Sequence, residues 1–353
     1  MISLMTSATL QTGRILAVIS CLLLCSAFCA AQDFPGESFK GNEDDLARQM
    51  SVFIQEVVQA RYPTGTMKRF NQAKSLGCFD GTFTINDDIP NALQHGIFAS
   101  EGSFPATLRF ASASTTDDEE KDLRGLSARL SDVPGDVVWG EPGLQDFVLN
   151  SHPVLFAATP EKFLAFIEAQ RNNNVIWHLL TPTNWSSLFI LLKARDNHTS
   201  PFDIRYWSTT PYKLGDKQAV KYSVTPCSEY QSSPPDKYTN NYLRAAMKAH
   251  LQYADVCFDF MVQPQTNNED MPIEDATARW DEDASPFIRV ARLVIKDQPF
   301  ISARALKACE ALAFNPWQSL SAHAPLGRMN YVRKEVYRAL AGYRKRANEA
   351  PSP

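Results

Sequence analysis

No run of like charge in this 353-residue chain is long enough to hold a nucleic-acid backbone, and the formal net charge is only −4. The densest charged stretch, Asp117 to Asp122, reads as a solvated loop. Also missing are the G-x-S-x-G elbow of serine hydrolases, the G-x-G-x-x-G dinucleotide turn, the Walker phosphate loop and the H-E-x-x-H zinc helix. The six histidines are scattered, so no metal cluster is written in local spacing. There is no internal repeat and no low-complexity linker. One continuous domain is therefore expected, preceded by a short leader.

The leader is the first 31 residues. Arg14 precedes an apolar stretch, Ile15 to Phe28, and Cys29-Ala30-Ala31 supplies small residues ahead of the polar Gln32-Asp33. That order is the pattern of a secretory signal peptide. The 17 residues from Ile15 to Ala31 fall short of the roughly 20 that span a bilayer, so cleavage after Ala31 is expected, and with it a secreted or periplasmic protein without a stable membrane span. A retained signal anchor or a lipoprotein cut before Cys21 fits the segment less well. Cleavage takes away Arg14, leaving 34 basic against 39 acidic residues, and removes Cys21, Cys25 and Cys29. Cys78, Cys227, Cys257 and Cys309 remain, with all three full pairings open. Their spacings fit neither a zinc site nor a C-x-x-C redox motif. Asn184-Trp-Ser and Asn197-His-Thr are glycan acceptor sequences if the host glycosylates exported chains.

Along residues 32–353, helical periodicity covers Leu46 to Tyr62, with Leu46, Met50, Phe53, Ile54, Val57 and Val58 on one stripe. Short β-type runs follow at Thr82 to Ile85, Ala106 to Ala111, Ser127 to Leu130 and Phe147 to Leu149, separated by turn residues. Further strands are expected at Ala219 to Val224, Phe258 to Val262 and Ile288 to Ile295. Helices are expected at Lys162 to Gln170, Tyr242 to Tyr253 and Tyr331 to Lys345. Scattered strands enclosed by helices, without regular βαβ alternation, indicate an α+β domain with an antiparallel sheet or barrel.

Four segments carry a resemblance. The first is Arg69-Phe-Asn-Gln72-Ala-Lys74, with Gly81-Thr-Phe after it; the second is Arg109-Phe110-Ala-Ser112, followed by Asp122-Leu-Arg124-Gly125. The third is Asp146-Phe-Val-Leu-Asn150-Ser-His-Pro153-Val-Leu-Phe156. The fourth is Phe314-Asn-Pro-Trp317, Pro325-Leu-Gly, then Arg333-Lys-Glu-Val-Tyr337 and Arg344. In this order they resemble the haem-dependent catalase superfamily, most of all its short, single-domain, catalase-related branch. The resemblance implies a catalase-like antiparallel β-barrel with surrounding helices, and haem b between the barrel and the C-terminal helix.

It also implies roles. Tyr337 becomes the proximal iron ligand, and Arg333, four residues earlier on the same helix face, stabilises its phenolate. Arg69, Arg109 and Arg344 become partners of the haem propionates, and Phe156 and Phe110 aromatics near the ring. Asn150 becomes the amide that orients peroxide. The departure is Gln72, which stands where the family has its distal histidine. An imidazole can take and return a proton near neutral pH; a carboxamide only exchanges hydrogen bonds. His152, two residues after Asn150, is the one candidate for a substitute base.

The expected function is thus a haem-dependent oxidoreductase of catalase or peroxidase type. Its substrate would be hydrogen peroxide or an organic hydroperoxide, with catalase turnover in doubt at Gln72. Two other readings stand beside it: a haem-binding or haem-sensing protein without turnover, and a scaffold that has lost haem. The expected partner is a small peroxide and not a nucleic acid. The resemblance leaves an oligomer open.

Overall fold

The computed structural model describes residues 34–349, so the expected leader and its cut after Ala31 lie outside the described residues. Helix α1 (Glu43–Arg61) comes first, then strands β1 (Lys74–Ile85), β2 (Ser103–Ser112), β3 (Arg124–Leu130), β4 (Val137–Trp139) and β5 (Gln145–Asn150). Helices α2 (Pro160–Arg171), α3 (Val175–Leu180) and α4 (Trp185–Ala194) precede strands β6 (Tyr206–Trp207), β7 (Tyr212–Leu214) and β8 (Gln218–Pro226). The remainder is α5 (Tyr242–Tyr253), β9 (Val256–Pro264), β10 (Ile288–Ile295), α6 (Ala303–Ala311), β11 (Ser319–Leu320) and α7 (Gly327–Glu349).

The strands run antiparallel in the order β6-β5-β3-β2-β1-β10-β9-β8, and β6 pairs back onto β8 to close an eight-stranded barrel. At the seam Tyr206 lies opposite Val224 and Trp207 opposite Ser223. Alternation along each strand decides what fills the barrel. Phe79, Phe83, Phe110, Phe147, Tyr222, Phe258 and Phe260 belong to one buried cluster, with rings such as Phe147 and Phe260 4.8 Å apart. A barrel of this size is filled by its own side chains. Any larger cavity must therefore lie outside the wall, and this one lies under α1 and α7.

Those helices form a second core. Leu46, Met50, Ile54 and Val58 of α1 pack with Ile167 of α2 and with Val332 and Val336 of α7. A charged node joins their N-terminal ends. The buried guanidinium of Arg328 is bonded to Glu43, to Glu161 at 2.6 Å and to Asn42 at 2.8 Å. Burial pulls the Glu161 carboxyl upward, but the Arg328 hydrogen bond prevails and holds it down at about 2. Glu43 in turn accepts the backbone N–H groups of Lys40 and Gly41, both at 2.9 Å.

The expected helices and strands are present, most of them longer at one or both ends, and β1 starts eight residues before the expected Thr82. Helices α3, α4 and α6 were not expected from periodicity. Helix α6 is too short to show a stripe, and α3 and α4 are apolar on nearly every side.

The four described cysteines pair as Cys78–Cys309 and Cys227–Cys257, with sequence separations of 231 and 30 residues. Closure entropy grows with the logarithm of loop length. Replacing the first pair (C78A/C309A) should therefore cost about 2 kcal/mol more than replacing the second (C227A/C257A). Equilibrium denaturation of both variants measures the difference; equal losses would show that the long crosslink does not act through the unfolded chain.

Candidate active site

The cavity is a cleft of about 1360 Å³, its open mouth included, between the outer wall of the barrel and helices α1 and α7. Arg109, Ser127, Val148 and Asn150 face it from β2, β3 and β5, since their neighbours Phe110, Leu126 and Leu149 point into the barrel. Met50, Ile54 and Val58 line it from α1. Arg333, Val336, Tyr337, Leu340 and Arg344 line it from α7, at spacings of three and four residues that keep them on one face. Seven of the nine site residues expected from the sequence thus meet in one place: Arg69, Gln72, Arg109, Asn150, Arg333, Tyr337 and Arg344.

On the helix side, the Arg333 guanidinium lies 5.3 Å from the centre of the Tyr337 ring and its Nη2 is 3.3 Å from the Tyr337 hydroxyl. Arg333 Nη1 also donates to Thr210 Oγ1 at 2.9 Å and to Asn330 Oδ1 at 2.8 Å, which fixes its angle. Burial alone would depress this guanidinium, but the Tyr337 and Tyr212 hydroxyls more than offset it and its pKa is raised. The Arg333 guanidinium is thus held against the Tyr337 oxygen by Thr210 and Asn330.

On the barrel side, Gln72 Nε2 donates to Asn150 Oδ1 at 3.0 Å, and Gln72 Oε1 is buried without a partner. The Gln72 backbone is left-handed, with φ 63°, a conformation that costs a non-glycine residue about 1–3 kcal/mol and persists only when neighbours impose it. Its N–H is held by Ala113 O at 2.9 Å and its carbonyl by Arg109 Nη2 at 2.9 Å. A Cβ at Gly125 would collide with the Gln72 carboxamide, so glycine there makes the room. Strain, close packing and an unpaired acceptor coincide at one side chain of the cavity wall.

At the rim, three guanidiniums surround one carboxylate. Glu310 is 2.5 Å from Arg69 Nη1 and 3.8 Å from both Arg109 Nη2 and Arg344 Nη1. Arg69 and Arg344 also bond the carbonyls that end helix α6, with Leu312 O at 2.6 and 2.8 Å. Burial first, then the charge of Arg69, pushes Arg109 down to about 9, and the same two causes push Arg344 down to about 10. Arg109 Nε has no partner. Among the described residues three guanidiniums face one carboxylate here, a surplus of positive charge that suits a ligand with carboxylates.

The haem implied by the resemblance fits this donor set. The unpaired Arg109 Nε and the surplus of guanidiniums would take its propionates, Tyr337 would offer an oxygen ligand, and the apolar faces of α1 and α7 would cover its ring. Phe156 stands one ring behind the wall, 5.4 Å from Phe163, which does line the cavity. Phe110 sits in the barrel interior instead. His152 is not in the cavity wall; its imidazole is pushed down by burial and by the charges of Arg279 and Lys193. Sequence reasoning missed Glu310, whose part depends wholly on where α6 docks. No spacing around it announces that role.

A family model described as catalase matches residues 51–191. The chain is 25% identical over 275 residues to a catalase of an Onchocerca volvulus endobacterium, covering 69% of this chain and 54% of that one. It is 23% identical over 286 residues to peroxisomal catalase A of Saccharomyces cerevisiae, covering 72% and 52%. An allene oxide synthase-lipoxygenase protein of Plexaura homomalla matches at 24% over 243 residues, 61% of this chain and 22% of that one. The chain spans about half the length of the catalases it matches. In solved structures, a fungal catalase superposes with a TM-score of 0.61 at 19% identity, covering 81% of this chain and 60% of that one. Catalase A of Saccharomyces cerevisiae gives the same TM-score and identity. The barrel, its surrounding helices and the ordered motifs from Arg69 to Arg344 agree with these matches: the chain is similar to catalases in sequence and shares their fold.

Proposed function

We propose that this protein is an exported haem b oxidoreductase acting on hydrogen peroxide or an organic hydroperoxide, with catalase turnover suppressed at Gln72. The observation that carries the reading is the pairing of two unlike walls across one cavity. Arg333 and Tyr337 stand on the helix side, Gln72 and Asn150 on the barrel side, and surplus arginines at the rim. When bound, haem iron supplies the redox centre at which a peroxide O–O bond is cleaved. Tyr337 would hold the metal through its oxygen, with the Arg333 guanidinium 3.3 Å away to support it. With Asn150 Oδ1 taken by Gln72 Nε2, the pair offers the Asn150 amide as donor and Gln72 Oε1 as acceptor. Those two groups orient a hydroperoxide. Neither carries a proton from one oxygen to the other, and lacking a general base costs roughly 10²–10⁴-fold in rate.

Tyr337→Phe should abolish the spectral bands of tyrosinate-ligated ferric haem and weaken haem retention. Arg333→Ala should act in the same direction but less severely, because it tunes the ligand without supplying it. Unchanged spectra and haem content in Tyr337→Phe would place the iron on another residue.

Gln72→His is the complementary test. Histidine is among the side chains that best tolerate a left-handed backbone, so the substitution suits φ 63°. Oxygen evolution from hydrogen peroxide, compared at equal haem occupancy, should rise on the order of 10²-fold. No rise, with haem bound and the fold intact, would favour the second reading, a haem protein that binds or senses without turnover.

A further inference from the structure

Between Arg171 and Lys193 the chain runs 21 residues without an Asp, Glu, Lys or Arg. The structure folds this stretch into the α3–α4 hairpin and turns its large apolar side chains outward. Ile176 and Trp177 are each 73% exposed, and Leu180, Trp185, Phe189 and Leu192 are also exposed. No other described segment exposes so many large apolar side chains so close together. Six such groups on two adjacent short helices form a contiguous patch of the kind soluble proteins rarely leave uncovered.

The hairpin does not depend on a partner to satisfy its backbone. Asn184 Nδ2 donates to His178 O and Trp185 Nε1 to Leu180 O, both at 2.9 Å, and Thr181 Oγ1 to Trp177 O at 3.1 Å. These bonds tie the turn together internally, and its outward side chains are the six large apolar groups with small uncharged polar residues such as Thr183 and Ser186. Asn184, the first glycan acceptor, is one of these turn-forming groups.

We propose that the α3–α4 hairpin docks onto a phospholipid surface. Three features select lipid over a protein partner. The patch has no charge with which to fix the register of a protein interface, whereas a fluid bilayer needs none. Tryptophan and phenylalanine on short helices are what an interfacial helix inserts at the level of the headgroups. Lys193 is exposed at the end of the stretch, where it meets anionic headgroups. No helix among the described residues is long and apolar enough to cross a membrane, so the hairpin lies on the surface and does not span it.

Docking would also set the cavity close to the lipid. The His178 ring of α3 lies 6.3 Å from Phe166, Phe166 lies 4.6 Å from Phe156, and Phe156 lies 5.4 Å from Phe163 in the cavity wall. The docking inference stands on the hairpin alone and holds whatever the cavity binds.

The test uses the chain from Gln32 onward, because the apolar stretch Ile15 to Phe28 would enter lipid by itself. Residues from Phe34 onward form one compact unit by their own contacts, so this chain keeps every described element. It is floated with vesicles of phosphatidylcholine, and with vesicles containing about one third phosphatidylglycerol. The unsubstituted chain should float with both, more with the anionic vesicles, and its tryptophan emission should shift to the blue. The double variant Trp177→Glu, Phe189→Glu changes only exposed positions and should lower vesicle binding about tenfold or more. Lys193→Glu should remove part of the preference for anionic lipid. Failure of the unsubstituted chain to bind either vesicle would overturn the proposal, as would undiminished binding by the double variant. Sedimentation velocity decides the alternative occupant: a dimer that the same double variant splits, with no vesicle binding, would assign the face to a second copy of the chain.

Discussion

Three arginines share one glutamate beneath the C-terminal helix, and the placement of the surrounding elements answers to that arrangement. A buried guanidinium is tolerated only with partners, so Arg69, Arg109 and Arg344 must be brought to the carboxylate and to the last carbonyls of α6. Helix α6 is in turn fixed to the barrel by Cys309, the residue before Glu310, through its bond to Cys78 on β1. The crosslink therefore sets the position of the only carboxylate that faces the three arginines among the described residues. Burial and the charge of Arg69 push Arg109 and Arg344 down to about 9 and about 10.

The barrel supplies the second constraint. A strand that sends phenylalanine inward at one position sends its neighbours outward, so Phe110 commits Arg109 to the cavity and Leu149 commits Asn150. Helix α7 meets this wall with a stripe whose period matches its own turn, from Arg333 through Tyr337 to Arg344. The Arg328 node holds the start of that helix to α1 and α2. Gln72 stands between the two systems. Its backbone is tied to β2 by Arg109 and to the loop at Ala113, and only the glycine at 125 leaves space for its side chain.

Much of this was legible in the sequence, for identifiable reasons. The barrel strands show alternation or β-branched runs, and α1, α5 and α7 show clear stripes, so their existence follows from local periodicity. The cavity residues were legible because they sit in ordered motifs, and the fold brings seven of the nine together. Phe156 fell short because one more helix, α2, interposes Phe163. Phe110 faced the barrel interior because Arg109 already claimed the outward position. Glu310 and the Cys78–Cys309 bond were hidden, since both depend on contacts between residues more than two hundred positions apart. The α3–α4 hairpin was hidden for the opposite reason: its apolar residues surround the helices and leave no stripe to read.

The most direct test of the account is whether the arginine cluster receives the carboxylates of a bound haem. The chain would be titrated with ferric protoporphyrin IX and, separately, with its dimethyl ester, in which both carboxylates are masked. The account predicts a saturable Soret band at a single equivalent of haem, and binding of the ester weaker by about tenfold or more, the loss of charge-assisted hydrogen bonds. Equal affinities for the two, or no saturable binding of either, would contradict it.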